Sequence, residues 1–190
     1  LGWRAPLITG ATVYGVWGLI WLIAWLVLRG SIDAGAYPPR ASSPYRLPYP
    51  GGESAWVVQG NNSSFNHEDR EEHAWDFRRR CGTPVLAARD GTVRAVTDSN
   101  SGHGSGRPNN SVEVTHSDGT VARYLHIAQD SAVVTVGDRV RQGDRLASVG
   151  NVGNSLTGHI HFVVESGGRS MPVTFRDVEE DSGIPRTFDS

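Results

Sequence analysis

The chain opens on an apolar run. Leu7 to Leu28 carries no charged residue and is bounded by Arg4 and Arg29. At about 1.5 Å rise per residue, a helix of that length crosses a hydrocarbon core roughly 30 Å thick. Trp17, Trp21 and Trp25 recur every four residues and share one helical face, which suits lipid packing, interfacial anchoring or a helix–helix seam. The small residues Ala34-Gly35-Ala36 raise a cleavable signal peptide as the alternative, but the run exceeds the roughly 7–15 apolar residues of a signal core. The pattern therefore predicts an uncleaved single-pass transmembrane anchor over 1–29. Residues 30–54 then set Pro38, Pro39, Pro44, Pro48 and Pro50 among Ser, Gly and Tyr. This composition predicts a semi-extended linker, with a strand-like wrap on the following domain as the alternative.

From residue 55 the pattern changes to short β-like runs. Trp56-Val57-Val58, Pro84 to Ala87, Thr92 to Val96, Ser111 to Thr115, Val121 to Leu125, Arg145 to Val149 and Ile160 to Val164 follow one another. Asp90-Gly91, Asp118-Gly119, Gly137-Asp138 and Gln142-Gly143 mark turns between them. No amphipathic helix of convincing length follows the anchor, so an all-β, mostly antiparallel domain over 55–176 is predicted. Ser99 to Asn110 reads as a long flexible loop, and 177–190 as a polar, frayed tail. The high glycine content, 23 residues, fits a turn-rich β domain. A formal net charge of −2 gives no field that would gather nucleic acid. The single cysteine, Cys81, has no internal disulfide partner.

Seven histidines punctuate this domain, and four of them sit in informative contexts. His159-Ile160-His161 opens an apolar β run. Positions i and i+2 of a strand face the same way, so two imidazoles enter one groove while Ile160 turns to the core. A glycine-rich approach from Gly150 to Gly158 lets the backbone turn tightly just before them. His126 ends the run Tyr124-Leu125-His126, and His67 ends a polar loop after Phe65-Asn66. Either of these alone would suit a structural or exposed role. Asp76 stands inside Ala74-Trp75-Asp76-Phe77, where a buried carboxylate is costly unless it is paired or bound to metal. Two imidazoles and a carboxylate, with more histidine nearby and no thiolate, make the ligand chemistry of a catalytic zinc that keeps a fourth position for water.

A family likeness accompanies these residues. His67…Asp76-Phe77…Gly82-Thr83-Pro84-Val85…Asp90-Gly91-Thr92-Val93 resembles the first half of a lysostaphin/LytM-type zinc metallopeptidase, a family of peptidoglycan endopeptidases. Val114 to Thr120, Tyr124-Leu125-His126, Val136 to Asp144, Gly150 to Gly158 and His159-Ile160-His161-Phe162 resemble the second half, in the family's order. The likeness covers about residues 57–165. It implies an open antiparallel β groove, Zn2+ held by His67, Asp76 and His161, and His126 and His159 as catalytic histidines that are not ligands. One departure concerns the first ligand, which better-known members place four residues before the aspartate. That position is Glu72 here, and the candidates are His67 and His73. His73, three residues before Asp76 on a regular strand, would face the other way. His67 is therefore expected at the metal and His73 at the rim.

The resemblance implies hydrolysis of peptide bonds in bacterial cell-wall peptidoglycan, with zinc supplying an activated water. Peptidoglycan peptides are the expected partners, and the membrane a partner through the N-terminal segment. The domain is then expected on the periplasmic or extracellular side of the cytoplasmic membrane. The alternative is a non-catalytic member that binds the wall and activates other hydrolases, and such proteins usually lack metal ligands. Val136 to Asp144 also resembles biotinyl or lipoyl carrier domains, which modify a lysine, and this chain has no lysine. His116 is read as structural, and His103 as solvated. Arg78-Arg79-Arg80 is read as a solvated face, with contact to wall carboxylates as the lesser reading.

Overall fold

The structure is a computed structural model that describes residues 18–23, 32–63 and 66–187. Among the described residues ten strands carry the fold: β1 (Trp56–Gln59), β2 (Trp75–Arg78), β3 (Pro84–Leu86), β4 (Gly91–Thr97), β5 (Ser111–Thr115), β6 (Val121–Leu125), β7 (Arg139–Val140), β8 (Arg145–Ser148), β9 (His159–Ser166) and β10 (Arg169–Ser170). The large sheet runs β1-β2-β9-β6-β5-β4-β7, with β10 added on β9, and every pairing is antiparallel. β3 and β8 form a separate antiparallel pair.

Period-two alternation decides which face of the large sheet is core. Trp75 and Phe77 of β2, Ile160, Phe162 and Val164 of β9, and Ala122 and Tyr124 of β6 are buried in one cluster with Val85, Leu146 and Ala147 of the small pair. Each large apolar side chain buried this way contributes about 1.5–3 kcal/mol. The intervening positions, Asp76, His159 and His161 among them, turn to the opposite face. Tyr124, inside the core, keeps its hydroxyl satisfied, since the Ala88 N–H donates to its Oη at 2.8 Å.

Three segments differ from the sequence expectation. Part of the proline-rich stretch wraps the domain. Tyr45 and Tyr49 are buried in the core, Tyr45 bridges Phe175 in parallel, the Ser43 hydroxyl donates to the Thr174 carbonyl, and Leu86 N–H donates to the Pro48 carbonyl at 2.9 Å. Two tyrosines bury enough area to hold the chain down, and proline supplies the extended backbone that lies along a sheet. The tail, as far as residue 187, is likewise docked rather than frayed. Ile184 is buried, the Trp75 indole donates to the Pro185 carbonyl at 2.9 Å, and Gly60 N–H donates to Thr187 Oγ1 at 2.8 Å. The loop 99–110 is tied down as well. The Asn110 amide donates to the Asp98 and Asn100 carbonyls, and Gly104 N–H donates to the Gly153 carbonyl.

Of the apolar run Leu7–Leu28, only residues 18–23 are described, and they are helical and exposed. Among the described residues no helix is long and apolar enough to cross a membrane. The rest of the expected anchor lies outside the described residues.

Candidate metal centre

The site begins with one row across three strands. Gln59 of β1 pairs with Asp76 of β2, and Asp76 pairs with His161 of β9. Asp76 is 6% exposed. The Gln59 amide donates to Asp76 Oδ2 at 3.0 Å, while His161 Nδ1 lies 2.8 Å from Oδ1. One carboxylate oxygen is thus held by an amide and the other is turned to the imidazoles. A register shift between Val57 and Gln59 accompanies this arrangement, setting Gln59 opposite Asp76.

The segment between β1 and β2 delivers His67. Its neck is closed by the Asn62 N–H donating to the Glu72 carbonyl at 2.7 Å. His67 is fully buried, and its Nδ1 bonds the Gly60 carbonyl at 3.0 Å. A carbonyl only accepts, so Nδ1 carries the proton and Nε2 presents a lone pair. That Nε2 lies 3.5 Å from Asp76 Oδ1 and, among the described residues, has no hydrogen-bond partner. A buried lone pair aimed at a carboxylate oxygen is unfavourable unless a cation sits at their focus. Donor atoms of His67, Asp76 and His161 all lie within 4.8 Å of one another. His73 lies elsewhere: its ring packs edge-on to Tyr37 at 5.9 Å, its Nδ1 lies 3.3 Å from Ser170 Oγ, and its backbone N–H donates to the same hydroxyl at 3.1 Å.

His126 and His159 flank this cluster, their rings 4.5 Å apart. His159 Nδ1 bonds the Thr157 carbonyl at 2.8 Å, and its Nε2 lies 3.5 Å from Asp76 Oδ1. His126 follows β6 with φ 64°, a conformation costly outside glycine and common at working sites. Three bonds hold it: its N–H to the Asn110 carbonyl, Gly150 N–H to its own carbonyl, and Nδ1 to the Val152 carbonyl at 2.8 Å. Gly150 is required for that approach, because a Cβ there would lie 2.5 Å from the Ala128 nitrogen. The glycine-rich segment expected to bring the chain round to His159 therefore also fixes His126.

The electrostatics follow from this packing. Burial would lift the Asp76 carboxyl, but contacts from His161 and His67 outweigh it and hold it well below the usual carboxylate range. Burial opposes protonation of His161, yet Asp76 and Glu71 push its pKa up to about 9. Burial, reinforced by the neighbouring His159, lowers His126 to about 4, so its imidazole is neutral at neutral pH. The site opens into a groove of about 420 Å³, with Gln59, Asn154 and the fully exposed Leu156 on its walls.

Two residues of the site were not singled out from sequence. Gln59 ends an apolar run, and only the strand register reveals that it faces Asp76. Glu71 stands in the charged stretch Glu68 to Glu72, yet its Oε2 lies 3.3 Å from His161 Nε2 and its Oε1 3.6 Å from Arg123 Nη1. Nothing in the sequence distinguishes it from its charged neighbours. Outside the site, His116 bonds the Asp90 carbonyl and packs on Tyr45, while His103 and Cys81 are exposed.

The donor chemistry fits a metal: two imidazoles and a carboxylate converge, with a buried lone pair that no atom of the described residues satisfies. The chain is also similar to known proteins. The chain is 29% identical over 111 residues to the peptidoglycan DD-endopeptidase ShyA of Vibrio cholerae, covering 58% of this chain and 24% of that protein. It is 34% identical over 88 residues to the glycyl-glycine endopeptidase ALE-1 of Staphylococcus capitis, covering 46% of this chain and 22% of that protein. The chain thus spans less than a quarter of the length of these relatives. The crystal structure of a zinc containing peptidase from Vibrio cholerae matches with TM-score 0.53 at 25% identity, over 68% of this chain and 38% of that one. Residues 70–172, more than half of the chain, match Peptidase family M23, and the chain belongs to that family.

Proposed function

We propose that the chain is a zinc metalloendopeptidase that hydrolyses peptide bonds in bacterial cell-wall peptidoglycan. The observation that carries this reading is the convergence of His67, Asp76 and His161 on one point, with the imidazoles of His126 and His159 beside it. His67 through Nε2, Asp76 through Oδ1 and His161 through Nδ1 would hold the metal. Two nitrogens and one carboxylate oxygen without thiolate suit a catalytic zinc with a position left open. When bound, zinc supplies a Lewis acid and a more acidic water for attack on an amide carbonyl.

The other residues then divide the proton work. His126 is neutral and pinned through Nδ1, so its Nε2 is an acceptor for the proton of the attacking water. His159 presents Nε2 in the same way, with Nδ1 held by the Thr157 carbonyl. Taking up a proton turns either Nε2 into a donor, which the leaving amine then requires. Both rings are anchored by backbone carbonyls, so their aim needs no rearrangement during the reaction. Gln59 keeps Asp76 from rotating by holding Oδ2. The intact set of donors favours catalysis over a purely wall-binding role. The uncharged run Leu7–Leu28 supports a tether to the cytoplasmic membrane, with the domain on the outer side where the wall lies.

The test is digestion of purified peptidoglycan by the full chain in detergent, read by mass spectrometry, with zinc measured in the same preparation. Expected are about one zinc per chain, new amine and carboxyl termini in the stem or bridge peptides, and loss of both metal and activity on chelation. A chain that holds zinc and releases no peptide from any wall preparation would overturn the catalytic reading.

A further inference from the structure

A second pocket of about 490 Å³ adjoins the metal groove and shares Thr157 with it. Its floor is the next row across the same strands: Trp56 of β1 pairs with Arg78 of β2, and Arg78 pairs with His159 of β9. Residues two apart on a strand share a face, so Arg78 lies on the face that carries Asp76 and His161. Arg80 and Gly158 complete the lining. The two walls are locked together, since Arg79 N–H donates to the Gly158 carbonyl at 3.2 Å. A Cβ on Gly158 would meet the Arg79 carbonyl oxygen at 2.9 Å and Cys81 Sγ at 2.8 Å, so only glycine permits this approach.

The three arginines of this pocket differ in what they touch. Arg79 is structural: it donates to the Ser54 carbonyl at 2.6 Å, pairs with Glu53 and lies over the Tyr49 ring. Glu71 and Glu165 are both paired with Arg123. Arg78 and Arg80, by contrast, are exposed, and among the described residues neither guanidinium has a hydrogen bond or ion pair. Trp56 beside them is 52% exposed. Two free planar cations next to an open indole, one row along the same strands from the reacting centre, match a carboxylate on a peptide whose apolar part packs on the ring.

We propose that this pocket is a subsite for a free carboxylate of the substrate peptide, held by Arg78 and Arg80 with Trp56 as the packing surface, on the His159 side of the scissile bond. The inference rests on the endopeptidase reading above for the identity of the peptide. It makes the groove selective for acidic stem or bridge peptides over their amidated forms.

The test uses the full zinc-loaded chain carrying His126→Ala to slow turnover. Two synthetic peptides of one sequence, the free acid and the amide, are titrated by calorimetry. The acid is expected to bind about 10-fold more tightly, the low end for charge-assisted bonds because both guanidiniums are exposed. Arg78→Gln with Arg80→Gln should narrow that gap to within about twofold, and Arg80→Gln alone, on an exposed turn, should narrow it by about threefold. A merely structural role would move both affinities together and leave their ratio intact. No gap in the parent, or a gap retained in the double variant, overturns the subsite. An anionic sugar-phosphate polymer that binds here while acid and amide peptides compete equally would overturn it as well. If the chain with His126 restored prefers the acid but cuts neither peptide, the endopeptidase reading fails and the subsite stands. If it cuts both alike, the subsite fails and that reading stands.

Discussion

Replacing Glu71 tests whether the charged loop before β2 does more than carry His67. His161 can offer Nδ1 to a metal only if its proton resides on Nε2. Glu71 Oε2 lies 3.3 Å from that Nε2 and is placed to accept the proton's hydrogen bond, fixing both tautomer and ring rotation. Carboxylates in this role typically contribute 10- to 100-fold in metal affinity. The contact is long, and the Glu71 side chain is 33% exposed and shared with Arg123, so the low end applies. Glu71→Gln should weaken zinc binding about 10-fold, or about 1.4 kcal/mol, and Glu71→Ala somewhat more. The assay is competition for zinc between the full chain and a chromophoric chelator. Nitrogen chemical shifts of the His161 ring in the zinc-loaded chain would report which nitrogen carries the proton. Wild-type affinity in both variants, within about twofold, would refute the argument. So would a proton found on Nδ1.

Three further outcomes follow from the same geometry. His67→Ala should remove most of the zinc affinity, whereas His73→Ala, which loses only its ring contacts to Tyr37 and Ser170 Oγ, should leave zinc in place; equilibrium dialysis of the two variants side by side decides it, and the reverse result would move the first ligand to His73. His126→Ala and His159→Ala should keep zinc and lose about 10²-fold or more of wall-digesting activity, and loss of metal in either would contradict their separation from the ligands. Tyr124→Phe should leave the buried Ala88 N–H without its acceptor and cost about 1–3 kcal/mol, lowering the melting temperature by roughly 2–10 °C; an unchanged melting curve would mean that water or another carbonyl takes over.

The strands were legible because their alternation is strong and their turns are marked by glycine. Ser111–Thr115 and Val121–Leu125 stand where the pattern puts them, and most other runs differ at their ends by a residue or two. β7 and β10, two residues each, are too short to leave a period. The docked Tyr45 and Tyr49 were hidden by their prolines, since a proline-rich strap on a domain has the composition of a free linker. The loop 99–110 reads as flexible for a similar reason: its glycines announce freedom, while the single buried amide of Asn110 that ties it down is one polar residue among many. His67, Asp76, His126, His159 and His161 were selected from sequence and do lie together. Gln59 and Glu71 could not be, because their roles depend on register and loop fold rather than on residue pattern.

The four imidazoles of the site obey one rule with one exception, and that rule locates control of the chemistry in the backbone. His67, His126 and His159 each place Nδ1 on a main-chain carbonyl, those of Gly60, Val152 and Thr157, and each is thereby left with Nε2 as an acceptor. His161 alone is reversed, with Nδ1 toward Asp76 and Nε2 toward Glu71. The strands β2 and β9 fix where Asp76, His159 and His161 stand. The loops at 60–74 and 150–158 fix which nitrogen each histidine offers, because they supply the carbonyls and the carboxylate. A substitution such as Gly150→Ala, which removes no donor, would therefore act on the reaction through the aim of His126, whose carbonyl accepts from Gly150. The long spacing between His67 and Asp76 has the same logic: the added residues form the turn that carries Glu71 to the far side of His161, so the segment that lengthens the motif also supplies the partner that orients its last histidine.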